Sequence, residues 1–518
     1  MKTKLEVIEC FFWGKGEIIT VLHRTQLFAK KRWGDEMYQM ENQLQHPHLR
    51  GVRRLGNVER QWLRSPYSNL SLCARIRGDI SENELRRALD KVRIIHPLVG
   101  AKVVFDEDGS AWFSTDDVPG PMLRVVPRES DSQWFSEVQY ESTVPFDPSA
   151  GPLIRFVLVY SPEVSDLIVF AKHEICDGRA LAFLIRDILK HIADPLLEAK
   201  TVVPPLYIGY FPKSSKKVII QNILKPFIIL CNKWWSKSRW LFDQEDYLNI
   251  HKAFWDRYAY RIVLLQLEKD ETERLIETCR DHGITVGSAT MTAYIAALRD
   301  VCGGFKGRQK YVAITYDLRD RLDKPVGDVF CFFVATFQFK FDYDPKKPFW
   351  ENAQTLHRKV RKNLDARDVF GFVPEFDMFD PTLIDAMNNF VSHAKDVPEG
   401  FSRYDKLSAF AQDKYNIVFQ LFKLFSSKSA LPGAWASNLG RLNFPETYGS
   451  LRLERMFFAP QGASTISGVS VGGRTTFALN YMEDSLEGVG VQTATQIEVR
   501  NRVLEYLGFP EKTNNSAL

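Results

Sequence analysis

The chain has 518 residues, of which 45% are hydrophobic and 25% are charged, with a formal net charge of +4. This length is enough for roughly two to four cores of domain size, so the chain can bury a core without relying on disulfide staples. The 7 cysteines show no CxxC spacing and are odd in number, which fits a reducing compartment better than a disulfide framework. We therefore expect a cytoplasmic protein of ordinary globular composition.

The N-terminal region gives no indication of its role. The apolar run IECFFWGKGEIITVL is interrupted by Lys15 and Glu17 and lacks a small-residue cleavage site, so we expect neither a signal peptide nor a spanning helix. His46 and His48 lie in a polar stretch with no partner at metal-ligand spacing nearby, which favours a loop over a metal site. We assign residues 1–36 to an extension of unknown role and predict no metal.

Strands and helices alternate in the first half of the chain. SENELRRALDKVRIIHP predicts a helix that Ser81 caps, with Glu84 completing a capping box and Pro97 ending the helix. RFVLVYS (155–161) and DLIVFAK (166–172) are apolar, rich in Val, Ile and Phe, and separated by the turn-like PEVS. These two runs predict an antiparallel hairpin in a covered sheet.

The second half repeats this alternation. The strand-like RIVLLQL precedes a predicted helix from an Asp270 cap to Gly283, and ITVGSATMTAYIAAL predicts another helix. YVAITYDLRDR, FCFFVATFQFKF and VGGRTTFALNYMED contain the β-branched and aromatic residues typical of strands. We predict an α/β protein, an α+β sandwich with lobes at 37–200 and 261–518 joined by a basic, aromatic crossover segment at 201–260.

The stretch KHEICDGRAL, residues 172–181, places three chemistry-bearing residues between a strand and a helix. His173 is a candidate general base, because a histidine ordinarily has a pKa near neutrality. Asp177 is expected at the start of the helix, where the dipole and backbone N–H groups favour a carboxylate. Gly178 permits a tight turn or a close approach to the backbone. The pattern taken alone also fits a structural histidine followed by an Asp-Gly turn.

The same stretch resembles the HHxxxDG signature of the chloramphenicol acetyltransferase-like superfamily, which includes peptide-synthetase condensation domains, plant BAHD acyltransferases and fungal alcohol acetyltransferases. Other fragments follow the family order: VRRLGNVERQW, HPLVGAKV and PFDPSAGPLIRFVLV before the motif, then GITVGSATMTAYIAAL, TYDLRDR and SNLGRLNFP. The resemblance covers roughly residues 50–508, and LGNVERQW is most similar to the alcohol acetyltransferase and mycobacterial polyketide-associated branches. Lys172 replaces the first histidine, which BAHD enzymes also lack.

The resemblance implies two chloramphenicol acetyltransferase-like lobes with an active-site tunnel between them and His173 as the base within it. It also implies that Asp177 pairs with an arginine from the second half and does not relay protons. Arg319 matches that arginine, and Arg321 is the alternative. A bidentate pair of this kind would fix the loop that presents the base. A surface pair without a catalytic role is the other interpretation.

SNLGRL matches a family segment close to the tunnel, which makes Ser437 and Asn438 candidates for binding the oxyanion of a tetrahedral intermediate. A left-handed turn at Asn438, before Gly440, is the alternative. Cys176 is expected to pack and not to form an acyl-enzyme, since direct transfer needs no nucleophilic side chain. The chain contains neither a GxxxxGK[ST] pattern nor a recognisable nucleic-acid-binding module, so we predict no ATP phosphate loop and no nucleic-acid partner.

The basic segment has two interpretations. Residues 200–242 carry eight basic side chains and no acidic one, and KKVIIQNILKPFIILCNKWWSKSRWLF mixes aliphatic residues and tryptophans with lysines. That composition is typical of a peripheral membrane-binding element, while Lys225 and Pro226 argue against a continuous spanning helix. A crossover helix that packs its tryptophans against the lobes is the alternative. A basic surface could equally dock an acidic acyl carrier protein or the phosphates of coenzyme A.

Three functions are compatible with these features. The resemblance implies first an acyltransferase that moves an acyl group from a CoA or carrier-protein thioester to an alcohol, or less favourably to an amine, without a permanently bound cofactor. The second is an amide-forming condensation enzyme of a nonribosomal peptide pathway, which the lack of an evident carrier or adenylation module disfavours. The third is a non-catalytic binding scaffold, which the intact His173, Asp177 and Gly178 disfavour.

Overall fold

The computed structural model describes residues 51–202, 204, 215–322, 326–365, 376–425, 432–462, 464–488 and 490–512. The extension at 1–36 and the loop predicted around His46 and His48 lie outside the described residues. The described strands are β1 (Gly51–Arg54), β2 (Asn69–Arg77), β3 (Lys102–Phe105), β4 (Ala111–Ser114), β5 (Met122–Pro127), β6 (Ile154–Tyr160), β7 (Val164–Lys172), β8 (Tyr258–Leu267), β9 (Tyr311–Asp317), β10 (Val334–Lys340), β11 (Ala434–Arg441), β12 (Thr447–Tyr448), β13 (Leu451–Pro460), β14 (Thr465–Val471) and β15 (Arg474–Asp484).

The described helices are α1 (Asn57–Leu63), α2 (Glu82–Ile95), α3 (Gln133–Thr143), α4 (Gly178–Ala193), α5 (Ser215–Trp235), α6 (Gln244–Arg257), α7 (Lys269–Asp281), α8 (Val286–Cys302), α9 (Phe349–Leu364), α10 (Pro381–Asp385), α11 (Val391–His393), α12 (Tyr404–Gln412), α13 (Ile417–Phe425) and α14 (Val491–Leu507). A π-helical turn, Ala386–Phe390, joins α10 to α11.

A six-stranded sheet forms the first lobe, in the order β12-β13-β2-β7-β6-β5. The predicted hairpin is present: β6 and β7 pair antiparallel, with Phe156 opposite Val169. Nearly every residue of these two strands is buried, as expected for apolar runs covered on both faces. Residues of α2, α3 and α4 share the core of this lobe with the sheet.

Two strands of this first sheet come from the far end of the chain. β13 pairs antiparallel with β2, from Leu70 opposite Pro460 to Arg77 opposite Arg452. The sequence predicts that residues 261–518 form the second lobe, whereas β12 and β13 complete the sheet of the first. The apolar pattern of β13 suits a buried strand in either sheet, and only its pairing with β2 decides where it lies.

The second lobe is built on another six-stranded sheet, in the order β10-β9-β11-β14-β15-β8. β8 and β15 pair antiparallel over their length, from Leu267 opposite Thr475 to Tyr258 opposite Asp484. Residues of α7, α8, α9 and α14 share the core of this lobe. A small sheet, β1-β4-β3, completes the architecture of the described residues. The predicted mixed α/β fold with two lobes is therefore confirmed.

Capping residues set the helix ends close to the predicted positions. Ser81 caps α2: its hydroxyl accepts from the Glu84 N–H at 3.3 Å, and the Glu84 carboxylate accepts from the Ser81 N–H at 3.2 Å. α7 begins earlier than predicted, with Glu268 and not Asp270 as its N-cap. The Glu271 carboxylate accepts from the Glu268 N–H at 2.7 Å, which closes a capping box at that position.

The predicted crossover segment belongs to a helical module. α5 and α6 pack with α10 to α13 around a third core, in which Trp235 is fully buried and donates to Thr382 Oγ1 at 2.8 Å. Trp240 donates to Asp413 Oδ2 at 3.0 Å. α5 continues through Pro226. Among the described helices, none has the length and apolar character needed to cross a bilayer.

Candidate active site

A cavity of about 540 Å³ lies between the two lobes and brings the predicted site residues together. The first lobe contributes the KHEICDG turn and α1, and the second contributes the N-terminus of α8 and strands β9 and β11. The lining includes all of the predicted candidates except Arg319: His173, Asp177, Gly178, Ser437 and Asn438. The cavity therefore occupies the place at which the sequence resemblance implied a tunnel.

His173 follows the last residue of β7, and one of its two ring nitrogens forms a hydrogen bond within the protein. Its Nδ1 lies 2.8 Å from the carbonyl oxygen of Cys176. Because a carbonyl can only accept, Nδ1 carries the proton and Nε2 keeps its lone pair. The imidazole stacks on Trp62, with 4.8 Å between ring centroids, and contacts Phe332 at 5.1 Å. Burial lowers the pKa of His173, so the ring is neutral at physiological pH.

Asp177 caps α4 and binds the second lobe. It is fully buried; its Oδ1 accepts from the Ala180 N–H at 2.9 Å, and its Oδ2 accepts from Phe333 N–H at 2.7 Å. Arg319 Nη1 donates to the same Oδ2 at 2.9 Å, so the structure contains the contact that the resemblance implied. Within the described part of the chain, no hydrogen bond joins this carboxylate to His173.

Arg319 is itself fixed by several acceptors. It lies in the turn after β9 and is 3% exposed. Besides Asp177, it donates to Asp317 Oδ1 at 3.0 Å and to the Cys331 carbonyl at 3.0 Å. The alternative candidate, Arg321, instead donates to the carbonyl of Leu364 at 2.6 Å. Arg319 is thus the arginine that the structure pairs with the motif, and the pair is buried and not on the surface.

Gly178 allows two side chains of the second half to approach the motif. A Cβ on Gly178 would lie 2.6 Å from Phe458 Cζ and 2.7 Å from Leu439 Cδ2. Contacts this short are repulsive, so the position needs a residue without a Cβ. Of the two uses that the sequence left open, the structure shows a close approach, and the approaching groups are side chains of β13 and β11.

The SNLGRL segment forms part of β11 and the turn beyond it. Asn438 pairs in register with Gly468, and its Oδ1 accepts from the Gly440 N–H at 2.8 Å. The left-handed residue is Gly440, at φ +72°, and not Asn438. The Asn438 Nδ2 points toward the start of α8, 3.5 Å from where a Cβ on Gly287 would lie. Asn438 and Ser437 both line the cavity.

Trp62 is the site residue that sequence reasoning missed. Trp62 belongs to LGNVERQW, a fragment that resembles the family but has no role assigned to it from the sequence. The Trp62 indole covers His173. The same helix is anchored by a buried ion-pair cluster: Arg60 Nη2 lies 2.8 Å and Arg64 Nη1 2.7 Å from Asp385 Oδ2. These partners are more than three hundred residues apart in sequence, so no local pattern indicated the contact.

Cys176 does not have the surroundings of a nucleophile. Its side chain is completely buried, and burial raises the pKa of its thiol well above the ordinary value. A thiol reacts as the thiolate, which this environment disfavours. In the part of the chain that the structure describes, no cluster of three or more His, Cys, Asp or Glu side chains is arranged to hold a metal ion.

Comparisons with known proteins show similarity in part of the sequence and in the fold. Residues 258–391 match the family model described as phthiocerol/phthiodiolone dimycocerosyl transferase C-terminus. No curated protein matches the sequence. The structure of polyketide synthase associated protein 5 from Mycobacterium tuberculosis is similar, with a TM-score of 0.54, 13% identity, and coverage of 90% of this chain and 99% of that chain.

Two further solved structures extend the comparison. TRI3 trichothecene 15-O-acetyltransferase from Fusarium sporotrichioides has a TM-score of 0.56 at 12% identity, covering 88% of this chain and 96% of that chain. The first condensation domain of the calcium-dependent antibiotic synthetase has a TM-score of 0.54 at 13% identity, covering 90% of this chain and all 100% of that chain. The chain therefore has the fold of the chloramphenicol acetyltransferase-like, condensation-domain superfamily, as the KHEICDG resemblance implied.

Proposed function

We propose that the protein is an acyltransferase that moves an acyl group from a thioester of coenzyme A or of a carrier protein to the hydroxyl of an alcohol. The state of His173 carries the proposal. Its Nδ1–H is held by the Cys176 carbonyl at 2.8 Å, which leaves Nε2 as the proton acceptor of a ring that lines the inter-lobe cavity. The superfamily fold and the match to an acyltransferase family model support the reaction class.

The proposed reaction is direct transfer. His173 Nε2 takes the proton of the acceptor hydroxyl as its oxygen attacks the thioester carbonyl. The tetrahedral intermediate then expels the thiolate, which receives the proton back from Nε2, so that an ester and a free thiol are the products. The buried Cys176 thiol supports a route without an acyl-enzyme. The reaction uses the acyl thioester as co-substrate and needs no permanently bound cofactor.

The oxyanion of the intermediate needs a hydrogen-bond donor. We assign this role to the Asn438 amide, because its Oδ1 is occupied by the Gly440 N–H at 2.8 Å and its orientation is thereby fixed. Asp177 and Arg319 would position the base and not touch the substrate. Their pair joins the His173 turn to the second lobe, which holds the imidazole relative to groups on β11.

Amide formation is the alternative reaction on this geometry. The likeness to a condensation domain, at a TM-score of 0.54, is as close as the likeness to the polyketide-associated protein. The same histidine could take a proton from an amine. The experiment therefore varies both substrates: the acceptor is an alcohol or an amine, and the donor is a thioester of CoA or of a carrier protein.

We also propose that the protein contacts membrane surfaces through a Trp234 surface, defined by Ile229, Lys233, Trp234, Lys237 and Leu241. Trp234 is 43% exposed and Leu241 55% exposed, beside exposed lysines on the end of α5. Apolar side chains next to cations are the composition that binds anionic lipid. Trp235 and Trp240, in contrast, pack in the helical module.

The proposed function is tested with purified protein, a panel of acyl-CoAs and acyl-carrier thioesters, and alcohol and amine acceptors, by following free thiol release and product mass. His173→Ala should lower the rate roughly a hundredfold or more while the protein stays folded, as expected for loss of a general base. Near-normal activity of a folded His173→Ala protein would overturn the assignment of the base. Products formed only with amines would favour the condensation reaction.

A further inference from the structure

Lys172 lies beside the base and is completely buried. Its ammonium donates to the carbonyl of Trp62 at 3.3 Å and to that of Ser65 at 3.4 Å. Among the described residues, no carboxylate forms a salt bridge with it. Burial lowers the pKa of Lys172 and raises the pKa of the neighbouring Glu174 carboxyl, so it disfavours the charged form of both groups. A buried amine without a close anion is costly, so the two carbonyls are its main compensation.

Trp62 lies in the last turn of α1, and Ser65 lies two residues beyond the end of the helix. The Trp62 carbonyl also accepts from the Ser65 N–H at 3.1 Å. The last carbonyls of a helix lack partners within the helix and carry a partial negative charge, so a cation is favoured there. The ammonium also contacts the face of Tyr247, 5.5 Å from the ring centroid. Lys172 therefore ties the last turn of α1 to the end of β7, the strand that leads directly into His173.

The same turn carries the side chain that covers the base. Trp62 stacks on His173 with 4.8 Å between ring centroids and an interplanar angle of 23°. Its backbone carbonyl is one of the two that Lys172 binds. A shift of this turn would thus move the indole relative to the imidazole.

We propose that Lys172 is a positioning residue, which binds the end of α1 and thereby holds the Trp62 indole against the His173 ring. Lys172 would touch neither the acyl donor nor the acceptor. The effect of Lys172 on the reaction rate rests on the proposed acyl-transfer function. Its effect on the pKa of the His173 imidazole can be measured in the protein without substrate. The two can therefore be measured separately.

The first experiment needs no substrate. Diethyl pyrocarbonate modifies only neutral imidazole, so the pH dependence of His173 modification, read by peptide mass spectrometry, gives the apparent pKa of the ring. Lys172→Met and Trp62→Leu should each raise this pKa toward the ordinary 6.5, because each uncovers the ring. The double variant should shift it by much less than the sum, since the same contact is lost in both. Additive shifts would show that Lys172 acts only through its charge and would overturn the proposal.

Control variants separate positioning from general destabilisation. Trp62→Phe keeps an aromatic ring and should retain the wild-type labelling profile. Arg455→Met also removes a buried cation, one that donates to the carbonyls of Leu267 and Thr475 at 3.4 Å. It should lower stability without changing the profile of His173. If Lys172→Met does not fold, a wild-type profile in Trp62→Leu would by itself overturn the proposal.

The second experiment uses thiol release. Lys172→Met should lower kcat about tenfold and change KM by less than about twofold, because a misplaced base is felt in the chemical step and not in binding. A rise in KM at constant kcat would place Lys172 in substrate binding and contradict the proposal. Failure of every donor and acceptor to react would count against the proposed function and leave the labelling result standing.

Discussion

His173 is controlled by neighbours that act on different properties of the ring. The carbonyl of Cys176 fixes its tautomer, since Nδ1 must donate to it at 2.8 Å. Trp62 and Phe332 pack against the ring and remove part of it from water. Exclusion of water disfavours the imidazolium, which is why the pKa of His173 is lowered. The imidazole is thereby neutral, with its proton on Nδ1.

The lowered pKa of His173 predicts the acid limb of the pH–rate profile. The base works only when neutral, so kcat/KM should be constant above its pKa and fall as the pH decreases through it. Because burial lowers that pKa from the ordinary 6.5, the limb should lie below pH 6.5. The measurement is kcat/KM between about pH 5 and 8 with a neutral acceptor. An acid limb centred at or above pH 6.5 would contradict the assignment of a buried, neutral imidazole as the base.

Removing either member of the Asp177–Arg319 pair should damage both activity and stability. The two side chains are 0% and 4% exposed, so each single alanine variant removes the charged partner that the other buried side chain has across the lobes. We expect the free energy of unfolding to fall by about 3 kcal/mol in each, and the double variant to cost much less than the sum. Urea denaturation and thiol release measure the two effects.

Arg321→Ala is the matched control for this cycle, because Arg321 donates to the Leu364 carbonyl and not to Asp177. Its effect should add to that of Asp177→Ala. Additivity in the Asp177–Arg319 cycle would instead show that Asp177 serves only as the cap of α4, where its Oδ1 accepts from the Ala180 N–H.

At the scale of elements, the start of α4 is the place where residues of the KHEICDG motif contact the second half of the chain. Asp177 binds the turn that follows β9, while Gly178 faces side chains of β13 and β11. One strand-to-helix turn therefore contacts both halves of the chain. The geometry of this turn depends on close packing. In protein interiors packed this closely, a single added methyl group changes the stability.

Gly178→Ala should destabilise the protein by about 1–3 kcal/mol through overpacking. The new Cβ would lie 2.6 Å from Phe458 Cζ, so Phe458→Leu in the same protein should recover part of the loss. Gly120→Ala is the control, since a Cβ there meets nothing within 4 Å. The midpoint of urea unfolding measures the change. A neutral Gly178→Ala variant would show that the packing at this turn relaxes easily.

At the scale of the whole molecule, the lobes are linked by β12 and β13, which leave the second half of the chain and complete the first sheet. The cavity lies between the sheets and takes its lining from both. Neither half of the sequence holds a complete site, because His173 comes from one sheet and Asn438 from the other.

The Trp234 surface predicts salt-sensitive binding to anionic vesicles. The protein should co-sediment with vesicles that contain an anionic lipid and be released by salt, since lysines supply part of the attraction. Trp234→Ser should weaken co-sedimentation without changing the unfolding midpoint, because Trp234 is 43% exposed. Trp235→Ser should instead lower stability, since Trp235 is buried in the module. Binding that ignores lipid charge, salt and Trp234 would refute the proposed contact.

The local features were predictable because each depends on residues that are close together in the sequence. The hairpin of β6 and β7, the Ser81 cap of α2 and the position of Asp177 at the start of α4 each follow from periodicity or capping chemistry over fewer than about twenty residues. The assignment of the superfamily rested on the resemblance of KHEICDG and its ordered companions.

The sequence by itself determined the alternation of strands and helices and the strand-to-helix turn that presents His173, whereas the proposed chemistry came from the resemblance of that turn to a family signature. Only the tertiary structure decided that β13 joins β2, that Gly178 faces Phe458, that Arg319 reaches Asp177 and that Trp62 covers His173. The physical reason is the separation in sequence of the residues that make these contacts. A periodic pattern indicates which face of an element is buried, but not which distant element covers that face.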